Sequence, residues 1–67
     1  MRVKLPKKWI DYLVSKPESG MGYQRVDVRL QNGRLLENVM VFNAEDMELP
    51  EEFARFQIKD LRLHQQP

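Results

Sequence analysis

The feature that most constrains the fold is a strict alternation of apolar and polar residues in "YQRVDVRLQ", residues 23–31. Val26, Val28 and Leu30 have one parity, and Arg25, Asp27, Arg29 and Gln31 have the other. Successive side chains of a β-strand point to opposite faces. This period of two therefore predicts a strand with one face in a core and the other in water.

A turn signal follows this strand directly. Asn32-Gly33 is the strongest kind of short hairpin signal, and we predict a two-residue type I′ turn with positive φ at both residues. The segment 34–43 then returns antiparallel, so the predicted hairpin covers residues 23–43.

The returning strand carries an apolar run that consists of Val39, Met40, Val41 and Phe42. Two structures explain apolar residues of both parities: a strand buried on both sides, or a bulge near Glu37-Asn38 that changes its face. A chain of 67 residues without cysteine has a thin stability margin. An apolar surplus on such a domain typically forms a subunit interface, so these four residues are our interface candidates.

The segment before the strand predicts one helix, over residues 6–16, with Pro6 at its first position and Pro17 ending it. Its apolar stripe at helical spacing consists of Trp9, Ile10, Leu13 and Val14. Trp9 is the largest of these side chains, so we expect it to be the main anchor of the helix and largely buried.

Two glycines flank Met21 between the helix and the strand. Glycine adopts φ values that other residues avoid, so this loop is interpreted as the hinge that folds the helix over the sheet, with Met21 filling the gap between them. The alternative is that Gly20 and Gly22 make room for a ligand or a neighbouring subunit beside Tyr23.

The second half of the chain begins with an acidic connector, residues 44–55, in which a single helical turn is expected after Pro50. Residues 56–64 predict short final strands with a bulge or bend at Lys59-Asp60, where the parity of the apolar residues changes. The chain is therefore expected to be a single domain, residues 1–67. Its predicted class is mainly β with one N-terminal helix, as a small antiparallel barrel.

These elements resemble a known family. A helix, the segment "VDVRLQNGRLLENVMVFN" and a short final strand pair are similar to the small SH3-like barrels. Among those they look most like the Sm-like proteins, which include a bacterial RNA chaperone, and like many short uncharacterised bacterial proteins. Gly33 matches the glycine of the family's first hairpin turn. Asn43 and Asp46 stand in inverted order relative to the family's RNA pocket, so its pocket residues are not carried over.

The residue types argue against catalysis. The chain has no cysteine and no threonine, and its one histidine, His64, is expected at an exposed strand end. A nucleophile and a neighbouring base are therefore not recognisable, and the clustered carboxylates match no calcium loop. We expect no enzyme activity, no cofactor, no metal site and no small-molecule substrate. No apolar run is long enough to span a membrane, and a cytoplasmic location is expected.

Charge is distributed unevenly along the chain. Residues 1–34 hold eight basic and three acidic residues, a balance of +5, and residues 35–67 hold three and seven, a balance of −4. One interpretation is a basic surface for RNA on which Arg25, Arg29 and Arg34 contact phosphates and Tyr23 stacks on bases. Others are a mixed-charge strand face, or two halves that attract each other.

The function expected from the sequence is a non-enzymatic binding or assembly module that self-associates. An RNA-binding Sm-like protein is the alternative.

Overall fold

The computed structural model describes residues 1–18 and 20–65. Within them, five antiparallel strands form one sheet: β1 (Arg2–Lys4), β2 (Tyr23–Leu30), β3 (Leu35–Phe42), β4 (Asp46–Glu48) and β5 (Ile58–Leu63). One α-helix, α1 (Lys7–Val14), lies between β1 and β2, and a 3₁₀ turn (Glu51–Phe53) lies between β4 and β5. The strand order is β1-β4-β3-β2-β5, and the sheet curls into a half-barrel. The mainly β prediction is confirmed at this level.

Strand β2 is the strand around which the sheet is built. It pairs with both β3 and β5, and its alternation is confirmed, since Gln24, Val26, Val28 and Leu30 are buried. The core consists of Leu5, Leu13, Val26, Val28, Leu30, Val41, Met47, Leu49 and Leu61. The sequence pattern predicts only apolar residues in the core, whereas the structure also buries the polar side chain of Gln24.

Both neighbours of β2 contain one extra residue. Val26 pairs with Val39 while Val28 pairs with Leu36, which confirms the bulge predicted near Glu37-Asn38. Asn38 lies there with a φ of 58°, a left-handed conformation that asparagine tolerates better than most residues. Beyond the bulge, Val41 is in the core.

The second bulge lies in β5. Arg29 pairs with Asp60 and Leu30 pairs with Ile58, so Lys59 is the extra residue, as the change of parity predicted. Extra residues bend a strand and increase its twist, so the two bulges help to curl the sheet around β2.

The first hairpin has a longer turn than predicted. The N–H of Gly33 donates to the Leu30 carbonyl at 2.9 Å, and the N–H of Leu30 donates to the Arg34 carbonyl at 2.9 Å. Gly33 has the expected positive φ of 91°, but Asn32 does not have one. The type I′ prediction is therefore wrong, since a three-residue connection that ends in a left-handed glycine needs only one positive φ. Asn32 Oδ1 instead accepts a hydrogen bond from the Arg34 N–H at 3.0 Å.

Replacing Gly33 tests the turn. A Cβ at this position would meet nothing within 4 Å, so a substitution is penalised by the backbone conformation alone. We expect Gly33→Val to lower the free energy of unfolding by about 1–3 kcal/mol, and Gly33→Asn to lower it less. Urea denaturation of the three proteins measures the difference. Equal stabilities would contradict the assigned conformation of Gly33.

Part of the predicted acidic connector is a strand. Strand β4 pairs on one side with β3 and on the other with β1, a strand that sequence analysis did not identify. Arg2 lies opposite Glu48, and Lys4 lies opposite Asp46. A hydrogen bond from the N-terminal ammonium group, 2.7 Å away, holds the pKa of Glu48 below its usual value. The oppositely charged halves of the chain therefore meet in this part of the sheet.

Helix α1 contacts the core through fewer side chains than predicted. Leu13 is buried at 1% exposure, while Trp9 and Ile10 are half-buried and Val14 is 69% exposed. The placement of Val14 on the buried stripe is therefore wrong, and the most buried residue of the helix is Leu13 rather than Trp9. The Lys8 ammonium lies 4.7 Å from the Trp9 ring centroid, which places a cation over the ring of this anchor. Pro6 precedes the first helical residue as its N-cap.

The amide of Gln24 connects β2 to the end of the helix. Its Nε2 donates to the carbonyls of Leu13 at 2.9 Å, Lys16 at 3.3 Å and Pro17 at 3.3 Å. The last carbonyls of a helix have no partners within the helix, and a side-chain donor can satisfy them. One buried side chain of β2 therefore fixes where α1 ends.

Removing this amide should loosen the helix. We expect Gln24→Met, which keeps the volume and loses the donor, to reduce stability by about 1–3 kcal/mol, because the carbonyls of Leu13, Lys16 and Pro17 each lose the amide as a donor. The matched control is Gln57→Met, since Gln57 is exposed. Circular dichroism during thermal unfolding measures both variants. A Gln24→Met protein as stable as the control would show that the amide does not hold the helix.

The glycine loop forms a tight turn between α1 and β2, and Met21 does not take the position predicted for it. Gly20 and Tyr23 form a bridge across the turn, and the Tyr23 ring lies where a Cβ on Gly20 would be. Gly22 has a φ of 79°, and its carbonyl accepts a hydrogen bond from the Asn43 N–H at 2.9 Å. Met21 is fully exposed, so the prediction that it fills the gap between helix and sheet is wrong.

Candidate functional site

A concave surface of about 800 Å³ lies on the face of β2, β3 and β5 opposite the core, and we call it the outer groove. Helix α1 contributes to one side of it. Its lining residues are Tyr12, Lys16, Asp27, Arg29, Leu35, Glu37, Asp60, Arg62, Leu63, His64 and Gln65. Among these described residues, three are permanent cations and three are carboxylates, so the groove is balanced in charge.

The balance arises from the pairing of β2 with β5. Arg29 lies opposite Asp60, and Asp27 lies opposite Arg62. Asp60 also accepts a hydrogen bond from the Arg62 Nε at 3.1 Å. Opposite charges on directly paired residues stabilise a sheet, whereas like charges destabilise it. The outward residues of the two strands are therefore electrostatically matched.

Asp27 and His64 form a half-buried ionisable pair in the groove. Their Oδ1 and Nδ1 atoms are 2.8 Å apart, and their side chains are 30% and 20% exposed. The same Oδ1 accepts the N–H of Asn38 at 3.0 Å, and the N–H of His64 donates to the Arg25 carbonyl at 2.8 Å. His64 is thus half-buried, which corrects the expectation of an exposed strand end.

The pair resembles the histidine base and its orienting carboxylate in hydrolases, but the described residues that line the groove do not include a nucleophile. The lining residues include no serine, threonine or cysteine. Nucleophilic catalysis needs such a group within hydrogen-bonding reach of the base. The contacts of Asp27 give it a structural task, because its carboxylate joins the bulge of β3 to the end of β5.

A comparison of two carboxylates tests this task. We expect Asp27→Ala to lower the free energy of unfolding by about 1–3 kcal/mol, since the Asn38 N–H and the His64 ring lose their acceptor. Glu37→Ala is the matched control, because Glu37 lines the same groove and is exposed. Its removal should change stability by less than about 0.5 kcal/mol. Equal effects in chemical denaturation would contradict the role of Asp27.

The predicted RNA-contacting residues are only partly brought together. Arg25 and Arg29 lie on the outer face of β2, and Arg29 Nη1 donates to the Gly33 carbonyl at 3.3 Å. The Arg34 guanidinium lies 5.1 Å from the centroid of the Phe53 ring. Tyr23 is half-buried, with its ring against Gly20. Neither Arg34 nor Tyr23 lines the outer groove.

The predicted interface residues are divided between the two faces of β3. Val41 is in the core and Val39 packs against it. Met40 and Phe42 are half-buried and pair with Arg25 and Tyr23, which belong to the outward set of β2. The guanidinium of Arg2 lies 4.2 Å from the Phe42 ring centroid.

Sequence analysis missed Asp60, Arg62 and the role of His64 in this site. A signal was present: "D-x-R" at residues 60–62 has the same spacing as "D-x-R" at residues 27–29, and each carboxylate lies opposite an arginine when the strands run antiparallel. Finding it requires knowing that these strands are neighbours, although the paired residues are 28 to 37 positions apart in the sequence.

Residues 1–18 and 20–65 contain no group of three or more His, Asp or Glu side chains placed to hold a metal ion. In the same residues, α1 and the 3₁₀ turn are both far too short to cross a membrane. No family model, no curated protein and no solved structure matches this chain.

Proposed function

We propose that the chain is a non-enzymatic binding and assembly module, a small SH3-like or Sm-like barrel that self-associates through its outer groove. The observation that carries this proposal is the charge balance of the groove. In a two-fold interface the same patch of both copies meets itself, so the patch has to complement itself. A groove with equal numbers of cations and carboxylates meets this requirement.

Apolar side chains beside the charges support a protein partner. Leu35 is 47% exposed and lies opposite Arg29. Met40 lies next to Arg25, whose carbonyl binds the His64 N–H. Protein interfaces combine apolar anchors with a polar rim, and this face offers both. Of the four predicted interface residues, Met40 and Phe42 are the two on the outward face.

Binding of RNA through the same face has less support. A phosphate backbone is bound by cations, and here Arg29 and Arg62 lie among Asp27, Glu37 and Asp60. The curled antiparallel sheet with one helix supports the SH3-like or Sm-like build. A fold of this kind hosts many functions, so the proposal rests on the charges of the groove rather than on the fold.

Paired charge reversals test the proposal. The acidic variant carries Arg29→Glu and Arg62→Glu, and the basic variant carries Glu37→Lys and Asp60→Lys. We expect the wild-type chain to sediment as an oligomer and each variant alone as a monomer, because like charges then face each other across the interface. An equimolar mixture of the two variants should associate again, since their patches complement each other.

The same variants distinguish RNA binding from self-association. If the groove binds single-stranded RNA, the basic variant should bind an oligonucleotide more tightly than the wild type, with a steeper salt dependence, and mixing should restore nothing. Circular dichroism confirms that each variant is folded. A wild-type chain that stays monomeric at its highest soluble concentration, or a mixture that stays monomeric, overturns self-association through this groove.

A further inference from the structure

We infer that a second surface, separate from the outer groove, binds an extended peptide that carries both apolar and acidic side chains and adds a strand to the free edge of β1. This surface is a seam of about 430 Å³, and its lining residues are Val3, Lys4, Pro6, Met47, Ala54, Arg55, Phe56, Gln57 and Ile58.

The backbone of β1 offers unpaired hydrogen-bonding groups. Met1 and Leu49 exchange hydrogen bonds, and the Leu5 N–H donates to the Glu45 carbonyl at 2.8 Å. Hydrogen-bonded and non-hydrogen-bonded pairs alternate along antiparallel strands, so Met1, Val3 and Leu5 face β4. The N–H and C=O groups of Arg2 and Lys4 therefore point away from β4. Among the described residues, β1 has no second neighbouring strand.

The other edge strand, β5, is less accessible to a partner strand than β1. The His64 N–H donates to the Arg25 carbonyl, so the alternation directs the backbone groups of Leu61 away from β2. Leu61 is nevertheless only 1% exposed, which means that other parts of the chain cover this edge. Arg2 and Lys4 are both exposed. A partner strand therefore has access to β1 and not to the middle of β5.

The seam beside β1 indicates the side chains of the partner. Val3 and Ile58 are half-buried and contribute apolar surface, and Phe56 is 37% exposed. The volume falls within the range of ordinary ligand pockets, about 300–1,000 Å³. The charged residues that line it in the described chain are Lys4 and Arg55, and the Lys4 ammonium also lies 3.8 Å from the Glu45 carboxylate, which is outside the lining. An exposed pair of this kind contributes little, so the lining keeps a basic character. Charge complementarity therefore favours acidic groups beside the apolar ones.

A peptide satisfies both requirements at once. An extended backbone pairs with Arg2 and Lys4, and every second side chain then points towards the seam, as in the strand-addition mode of peptide recognition. The acidic segment of a second copy is an unsuitable occupant, because Asp46–Glu48 is already paired as β4. The partner is thus another polypeptide with alternating apolar and acidic residues.

The experiment uses a short capped peptide in which glutamate alternates with leucine, added to the isotope-labelled protein. We expect amide chemical-shift changes at Arg2, Lys4 and Ile58 and none in the outer groove, which also separates this site from self-association. A matched peptide with lysine in place of glutamate should bind roughly tenfold more weakly, as expected when rim charges change sign. A version N-methylated at every backbone amide should not bind, because neither of its edges can then donate hydrogen bonds to β1.

Two variants of Lys4 separate the contribution of its charge to peptide binding from the contribution of strand addition. Lys4→Ala removes the ammonium group and keeps the N–H, whereas Lys4→Pro also removes the N–H and spares the pairing with β4, since proline is tolerated on a free strand edge. We expect both to weaken binding, Lys4→Pro more. Equal binding by the two variants together with binding of the N-methylated peptide would overturn strand addition. No shift changes with the acidic peptide at its solubility limit would overturn the site itself.

Discussion

The carboxylate of Asp27 joins the three long strands of the sheet. It stands on the middle strand, β2, and one of its oxygens contacts both the Asn38 N–H of β3 and the His64 ring after β5. Asn38 lies in a bulge and has an unfavourable left-handed φ, which an added hydrogen bond offsets. The curl that this bulge promotes, and the outer groove beside it, therefore depend on one acceptor in the middle of the sheet.

Sequence patterns predicted those elements of the fold that the spacing of neighbouring residues determines. Strand β2 and both bulges could be read from the parity of apolar residues, because each strand is long enough to show a period of two. Strands β1 and β4 contain three residues each, too few for any period. Strand β1 pairs only with β4, more than forty residues away, whereas β4 also pairs with the end of the neighbouring β3. The buried amide of Gln24 was missed because its partners belong to the helix end, which no spacing in β2 reveals.

For the candidate site, too, local sequence patterns predicted one part, and contacts between distant strands determined the rest. The alternation of β2 correctly placed Arg25 and Arg29 on the outward face. It did not reveal the charged residues that lie beside them on β5. Asp60 and Arg62 become neighbours of β2 only through the fold, and they turn a row of arginines into a balanced face. For α1, spacing could not distinguish Leu13 from Val14, since a helix of eight residues contacts the core along a stripe narrower than its apolar residues.

The opposite charges of the two halves of the chain are largely matched within the fold. Arg2 meets Glu48 across β1 and β4, and Arg29 meets Asp60 across β2 and β5. Exposed pairs of this kind add little stability, but they remove the net basic field that the first half alone would produce. What remains is a balanced face on the long strands and a seam whose charged lining residues are Lys4 and Arg55, with Glu45 3.8 Å from the Lys4 ammonium. The partners that we propose for the two surfaces differ accordingly: a second copy with both signs at the groove, and an acidic strand at the open edge.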